Sequence, residues 1–166
     1  MIEKTLLFFS VILLAANTSA DEYRSKVNEG YEFYKNGDYD KATENYRQAG
    51  IIQPDKALPN FGKGAALYRS NDFEEANKEY SAAIEKGSDK IKADAHYNIG
   101  NALYKAEKYA DAVKSYVNAL GIDSDDKDYK HNLEMALLKQ QMQQQQQQQQ
   151  DQGDKEEKQD QQDKKE

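Results

Sequence analysis

The chain has 166 residues, 37% hydrophobic and 32% charged, with 30 acidic side chains against 23 basic ones and a formal charge of −7. That length suits one modest domain, and the polarity predicts solvated segments beside its core. The negative balance disfavours electrostatic binding to nucleic acid or to an anionic membrane surface. The absence of cysteine excludes disulfides, thiolate nucleophiles and lipid-modified cysteines.

Residues 1–20 read as an export signal. Lys4 supplies a positive start, weakened by Glu3, and Thr5 to Ala16 is an apolar run too short to cross roughly 30 Å of hydrocarbon as a helix. Asn17-Thr18-Ser19-Ala20 ends in small residues, so cleavage after Ala20 is expected. Cleavage removes one charge of each sign and leaves the mature chain at −7. The chain is expected to leave the cytoplasm with no membrane span; the alternative is an uncleaved N-terminal anchor.

From Tyr23 to about Asp126 the chain repeats itself. Gly30, Gly64 and Gly100 align, as do Ala42, Ala76 and Ala112, then Tyr46, Tyr80 and Tyr116, then Ala49, Ala83 and Ala119, at offsets of 34 and then 36 residues. Each unit reads as two amphipathic helices around a turn. In the first unit (21–56) Gly37 offers the left-handed conformation that closes a helix, and Asp38 offers an N-cap carboxylate. Pro54 falls between units and Pro59 in the next first turn, where proline removes no needed hydrogen bond. The second unit (57–92) repeats the turn as Asn71-Asp72-Phe73. Gly87-Ser88-Asp89 and two extra residues predict a longer connection onward. In the third unit (93–126) Glu107-Lys108-Tyr109 lacks the capping side chain and predicts the weakest turn.

A fourth copy starts and stops. Tyr129, Leu133, Ala136 and Leu137 mark an apolar helical face over 127–142, but Glu134 stands in the glycine position. The expectation is a terminal helix covering the third unit. The segment 143–166 opens with glutamine through Gln150, then carries seven acids and four lysines with no aliphatic or aromatic residue. It cannot bury a core and is expected to be a mobile, disordered tail, although glutamine favours extending the preceding helix by a few turns. It reads as a solvated tail, a spacer or a coiled-coil contact.

A helix-turn-helix unit near 34 residues, with small-aromatic-small spacing in its second helix, resembles the tetratricopeptide repeat. The resemblance implies an all-α superhelix of three repeats plus a C-terminal capping helix and a low-complexity tail. It also implies a concave face lined by the first helix of each unit. The partner-binding positions it gives are Asn28, Tyr31, Tyr34 and Lys35, then Tyr68 and Arg69, then Tyr97, Asn98, Asn101, Tyr104 and Lys105, and Asn132 from the cap. A tyrosine followed by a base recurs as Tyr34-Lys35, Tyr68-Arg69 and Tyr104-Lys105. Asparagine side chains donate to and accept from peptide backbone, and tyrosine offers a flat apolar contact with a polar tip. Three bases in an acidic protein favour an acidic or C-terminal peptide segment; the alternative is that the tyrosines pack between units and the bases are solvated. Some relatives hold chaperone tails with a lysine–asparagine clamp, but Val27, Tyr31, Phe61 and Ala65 occupy those positions and do not match it.

No catalytic, cofactor or metal site is expected. His96 and His131 have no cysteine or carboxylate pair to complete a metal set, and the glycines are spaced by the repeat, not as a phosphate loop. His96 falls at a packing position.

The layout as a whole, with HYNIGNALYK (96–105), NLEMALLK (132–139) and the glutamine run behind them, resembles the exported tetratricopeptide-repeat proteins of the bacterial aerotolerance (Bat) operon. That resemblance implies a periplasmic scaffold beside membrane proteins with von Willebrand A domains, linked to stress or oxygen tolerance. The alternative it leaves is an envelope assembly or division factor that self-associates through its glutamine-rich helix.

Overall fold

In the computed structural model the backbone is described for residues 2–163 and the side chains for 18–150, 152 and 153. Seven helices follow in chain order: α1 (Ile2–Lys35), α2 (Tyr39–Ile52), α3 (Ala57–Arg69), α4 (Phe73–Lys86), α5 (Asp89–Lys105), α6 (Tyr109–Ile122) and α7 (Lys127–Asp163). Each packs on the next in sequence, and α1 touches α3, α3 touches α5 and α5 touches α7 across the inner side. The result is an all-α solenoid of three helical hairpins closed by α7, with no strand among the described residues.

The repeat works because a second-helix tyrosine enters the notch left by a first-helix glycine. A Cβ on Gly30 would lie 3.2 Å from the Tyr46 ring, one on Gly64 2.9 Å from Tyr80, and one on Gly100 2.5 Å from Tyr116. Ala42, Ala76 and Ala112 are fully buried one helical turn before those rings, and no larger residue fits so close an approach. Ala66 completes the first unit's cluster with Ala42 and Tyr46, and Ala136 of α7 does the same for Ala112 and Tyr116. The terminal helix therefore docks as another first helix would. Tyr129 is 3% exposed and Ala136 fully buried, and Leu133 packs on the same cluster. Leu137, expected on that face, is 46% exposed: the side it occupies is the one a second helix would cover.

All three hairpin turns close alike. Gly37, Asn71 and Glu107 have φ of 80°, 65° and 59°. In each turn the next amide (Asp38, Asp72, Lys108) donates at 2.9 Å to the carbonyl five residues earlier, on Phe33, Leu67 and Leu103. This left-handed closure satisfies carbonyls at the helix end. The expected capping aspartates differ. Asp72 accepts from the Glu75 amide at 3.3 Å, whereas Asp38 makes no cap bond and pairs with Lys41 at 2.7 Å. The third turn's peculiarity is instead a glutamate in a conformation that L side chains resist.

The expected longer connection before the third unit is absent. Gln53–Lys56 separate α2 from α3, but only Gly87 and Ser88 separate α4 from α5. With no proline there, the extra residues lengthen α5, which has 17 residues against 13 in α3. A Cβ on Gly87 would meet Ile91 at 2.8 Å and the Ala83 carbonyl at 2.9 Å, so this tight corner requires glycine.

The segment read as an export signal continues helically into the first repeat within α1; the side chains of 1–17 lie outside the described residues. Among the described residues no helix is long and apolar enough to cross a membrane. At the other end α7 continues to Asp163, well beyond Met142 and further than a few turns. Residues 141–150 are exposed throughout and bury nothing, as their composition requires. The side chains from 154 onward lie outside the described residues.

Candidate functional site

The inner faces of α1, α3, α5 and α7 form a groove with two clefts that share Tyr68. The first, of about 480 Å³, is lined by Tyr31, Tyr34, Tyr46, Leu58, Phe61, Gly62, Ala65, Tyr68, Arg69, Tyr80 and Asn98. The second, of about 360 Å³, is lined by Tyr68, Tyr97, Asn101, Tyr104, Lys105, Tyr116, Asn132 and Met135. Ten of the twelve positions expected from register thus reach the groove; Asn28 and Lys35 line neither cleft.

The recurring tyrosines have a structural half. Tyr34 packs against Tyr39 with ring centroids 5.9 Å apart, Tyr68 against Phe73 at 5.6 Å and Tyr104 against Tyr109 at 5.3 Å. Each pins its hairpin turn with one edge and turns the other to the groove. The packing is within each hairpin, not between units as the alternative had it.

The bases are not equivalent. Lys35 pairs with Glu32 at 2.8 Å and lies 5.0 Å over the Tyr31 ring, so its charge is answered on α1. Arg69 lies 5.9 Å over Tyr34 and 5.5 Å over Tyr39, near enough for a cation–ring attraction, and hydrogen-bonds both side chains. Neither Arg69 nor Lys105 has a carboxylate partner among the described residues. They are the cations a ligand would meet, and they belong to different clefts.

The asparagines also divide. Tyr116 donates to Asn101 Oδ1 at 2.8 Å. Asn132 Nδ2 donates to Asn101 Oδ1 at 2.8 Å and to the Tyr97 hydroxyl at 3.0 Å. These bonds span α5, α6 and α7, so Asn132 and the Asn101 oxygen hold the wall together and are not free for a ligand. The Asn101 NH2 and Asn98 keep their donors for the groove. Burial removes water from the Tyr116 hydroxyl and pushes its ionisation well above the ordinary tyrosine range.

Leu58, 43% exposed in the first cleft, the second-helix tyrosines Tyr46 and Tyr80 beside it, and Tyr116 in the second cleft were not expected from register. Stepping back three residues from Phe61 along the same helical face finds Leu58; nothing in sequence aligned Tyr116 with Asn101 and Asn132. Among the described residues no group of three metal-ligating side chains forms. His96 is half-buried, and that burial lowers its basicity; His131 is exposed.

A solenoid of helical hairpins around a tyrosine-lined groove defines a repeat protein built for binding along one face. Two family models match it: "Tetratricopeptide repeat" over residues 61–127 and "TPR repeat" over residues 30–71. The chain carries tetratricopeptide repeats. It is 31% identical over 96 residues, 58% of its length, to the peroxisomal targeting signal receptor of Candida albicans, but spans only 16% of that protein. Among solved structures, the TPR domain of Arabidopsis OM64 superposes with TM-score 0.65 at 19% identity, over 71% of this chain and 96% of that one. The second TPR domain of human RPAP3, in complex with the HSP70 peptide SGPTIEEVD, gives 0.66 at 22%, over 71% and 97%. The TPR2B domain of yeast Sti1, in a complex with Hsp70, gives 0.66 at 21%, over 70% and 97%. At these identities the likeness speaks for the fold alone.

Proposed function

We propose that this is an exported interaction scaffold of the bacterial cell envelope that holds a protein partner by a peptide segment laid along its inner groove. The observation that carries the reading is the continuous groove in which two clefts meet at Tyr68 and each presents one cation, Arg69 or Lys105, with no carboxylate of its own. Such a site suits an extended acidic segment: tyrosine faces cover its apolar atoms, the Asn98 and Asn101 amides meet its backbone, and the cations fix its charges. The relatives with bound HSP70 peptide support peptide binding in this fold, although the residues that would clamp a terminal carboxylate in that manner are Val27, Tyr31, Phe61 and Ala65 here. Export rests on the segment 1–20. The envelope setting, a membrane partner with a von Willebrand A domain and a link to stress or oxygen tolerance rest on the resemblance to the Bat-operon proteins. The role is that of a binding module, not an enzyme.

The test is capture from a detergent-solubilised envelope extract of the host on the immobilised chain, beside Arg69→Glu/Lys105→Glu and a Lys35→Glu control. The expected result is retention of a membrane protein bearing a von Willebrand A domain by the wild type and Lys35→Glu, and its loss from the double variant. Equal retention by all three would remove the groove from the reading.

A further inference from the structure

The described part of α7 that docks on the third repeat is only one side of that helix. In every complete repeat an apolar pair near the end of the first helix is covered by the second helix: Phe33 and Tyr34 pack on the cluster of Ala42 and Tyr46, Leu67 and Tyr68 on that of Ala76 and Tyr80, Leu103 and Tyr104 on that of Ala112 and Tyr116. The repeat offset carries this pair onto Leu137 and Leu138 of α7. There is no eighth helix among the described residues, and the two leucines are 46% and 51% exposed. An apolar seam that the fold covers three times within the chain is left open the fourth time.

A pattern that shares Leu138 with this seam says what covers that side of α7. His131, Met135, Leu138, Met142, Gln145 and Gln149 follow one another at spacings of four, three, four, three and four, a heptad stripe on one face of α7. Met135 is 37% exposed and Met142 44%. The stripe reads the same from either end about Gln140. An antiparallel second copy therefore sets Leu138 of each chain against Met142 of the other, Met135 against Gln145 and His131 against Gln149. Flanking charges are accommodated by the same overlap: Glu134 falls opposite Gln146, and Lys139 opposite Gln141. The uncharged glutamine run is the stretch that can lie over those charges without like-charge contact.

We infer that the chain forms a two-fold dimer through α7, an antiparallel helix pair centred near Gln140. The contact is isologous and closes at two copies. It leaves the first cleft of each chain open and brings Gln145 of the other copy to Met135 in the second, so a dimer would present two binding grooves joined by one helix pair.

Because the chain has no cysteine, cross-linking tests the register directly. Full-length Leu138→Cys and Met142→Cys chains are oxidised separately and as an equal mixture, and the disulfide-linked products are identified by mass. The expected product is the mixed 138–142 dimer, exceeding either same-position dimer at least severalfold. Same-position dimers in equal or greater yield, or no dimer, overturn the proposal. Sedimentation equilibrium of the full chain beside Leu138→Glu/Met142→Glu is the second measurement. Both carry the same residues 5–16, so association through that segment is common to them. The double variant is expected to halve the mass with its melting temperature retained, since neither residue belongs to a core cluster; an unchanged mass overturns the proposal.

Discussion

Between α1 and α4 the inner wall is joined by rings: Tyr34 on Tyr39, Tyr68 on Phe73, Phe61 edge-on to Tyr80, and Arg69 lying over Tyr34 and Tyr39. Between α5 and α7 ring pairs recur, Tyr97 with Tyr116 and Tyr129, and groove-side hydrogen bonds are added, from Tyr116 and Asn132 to Asn101, from Asn132 to Tyr97, and from Tyr129 to Asp94 at 2.6 Å. Both halves use the same glycine, alanine and tyrosine frame. The difference lies in what each first helix packs against. α3 is gripped on two sides, by α2 and α4, and its Asn60 and Lys63 add bonds to Glu79 of α4 at 2.8 Å. α7 is gripped by α6 and touches α5, and polar contacts make up for the missing second helix. Tyr129, stacked on Tyr97 at 4.8 Å and bonded to Asp94, which Lys90 also holds at 2.6 Å, is the hinge pin of that arrangement.

The comparison breaks most visibly if α7 is removed. Ending the chain after Asp126 uncovers Ala112, Tyr116 and Ala119 and forfeits burial of Tyr129 and Leu133. The expected loss is about 4 kcal/mol, with a lower melting temperature and aggregation; an unchanged melting temperature would show that the third repeat stands without its cap.

Alkali comes next. Tyrosine ionises near 10.0 when free, whereas burial pushes Tyr46 up to about 12 and raises Tyr80, Tyr116 and Tyr129 further. For Tyr129 the bond to Asp94 adds to burial. A folded-state value raised above the unfolded one gives stability that is complete below pH 10 and fades as pH rises through 12. Melting temperatures measured from neutral pH upward should hold to about pH 10 and then fall. Ultraviolet titration should find Tyr46, in the ring-packed half, ionising before Tyr116 and Tyr129. Tyr80, buried in the ring-packed half, should ionise with the late group, because burial sets the order; the reverse order would show that these rings are reached by water.

Gly100→Ala tests the shared frame. The new Cβ would sit 2.5 Å from the Tyr116 ring, and overpacking costs about 1–3 kcal/mol, more than the gain in helix propensity. Gly121→Ala, where nothing lies within 4 Å, should instead be neutral or stabilising in the same denaturant titration. Tyr129→Phe keeps the stacking and removes one hydrogen bond, so a loss of about 1 kcal/mol is expected. Tyr46→Phe, in the half closed by rings, should change stability far less. The smallest effect has the opposite sign. Glu107→Gly relieves a left-handed residue at a turn where the first repeat already has glycine, and should stabilise by about 0.5–1 kcal/mol. No gain would mean that the turn does not strain the third repeat.

Much of this molecule is legible from residue spacing. A recurring glycine, alanine and tyrosine set the helix pairs, the register of their packing and the positions facing the groove, because close helix approach tolerates few residue types and so leaves a periodic trace. The left-handed turns at Gly37 and Asn71 were legible for the same reason. Glu107 was not, since nothing about glutamate announces that conformation; the repeat frame imposes it. The connection before the third unit was misread as a loop, because absence of proline lets a helix start early and length alone does not distinguish the two. Register placed Tyr97, Asn101, Asn132 and Lys105 on one face, but which atoms are spent inside the wall depends on meetings between helices about thirty residues apart in sequence. Lys35 and Arg69 look alike in sequence, yet one is answered by Glu32 a turn away and the other by two tyrosines with no carboxylate. Spacing along the chain determines which side chains share a face; only the tertiary contacts between faces decide which of them remain free to bind.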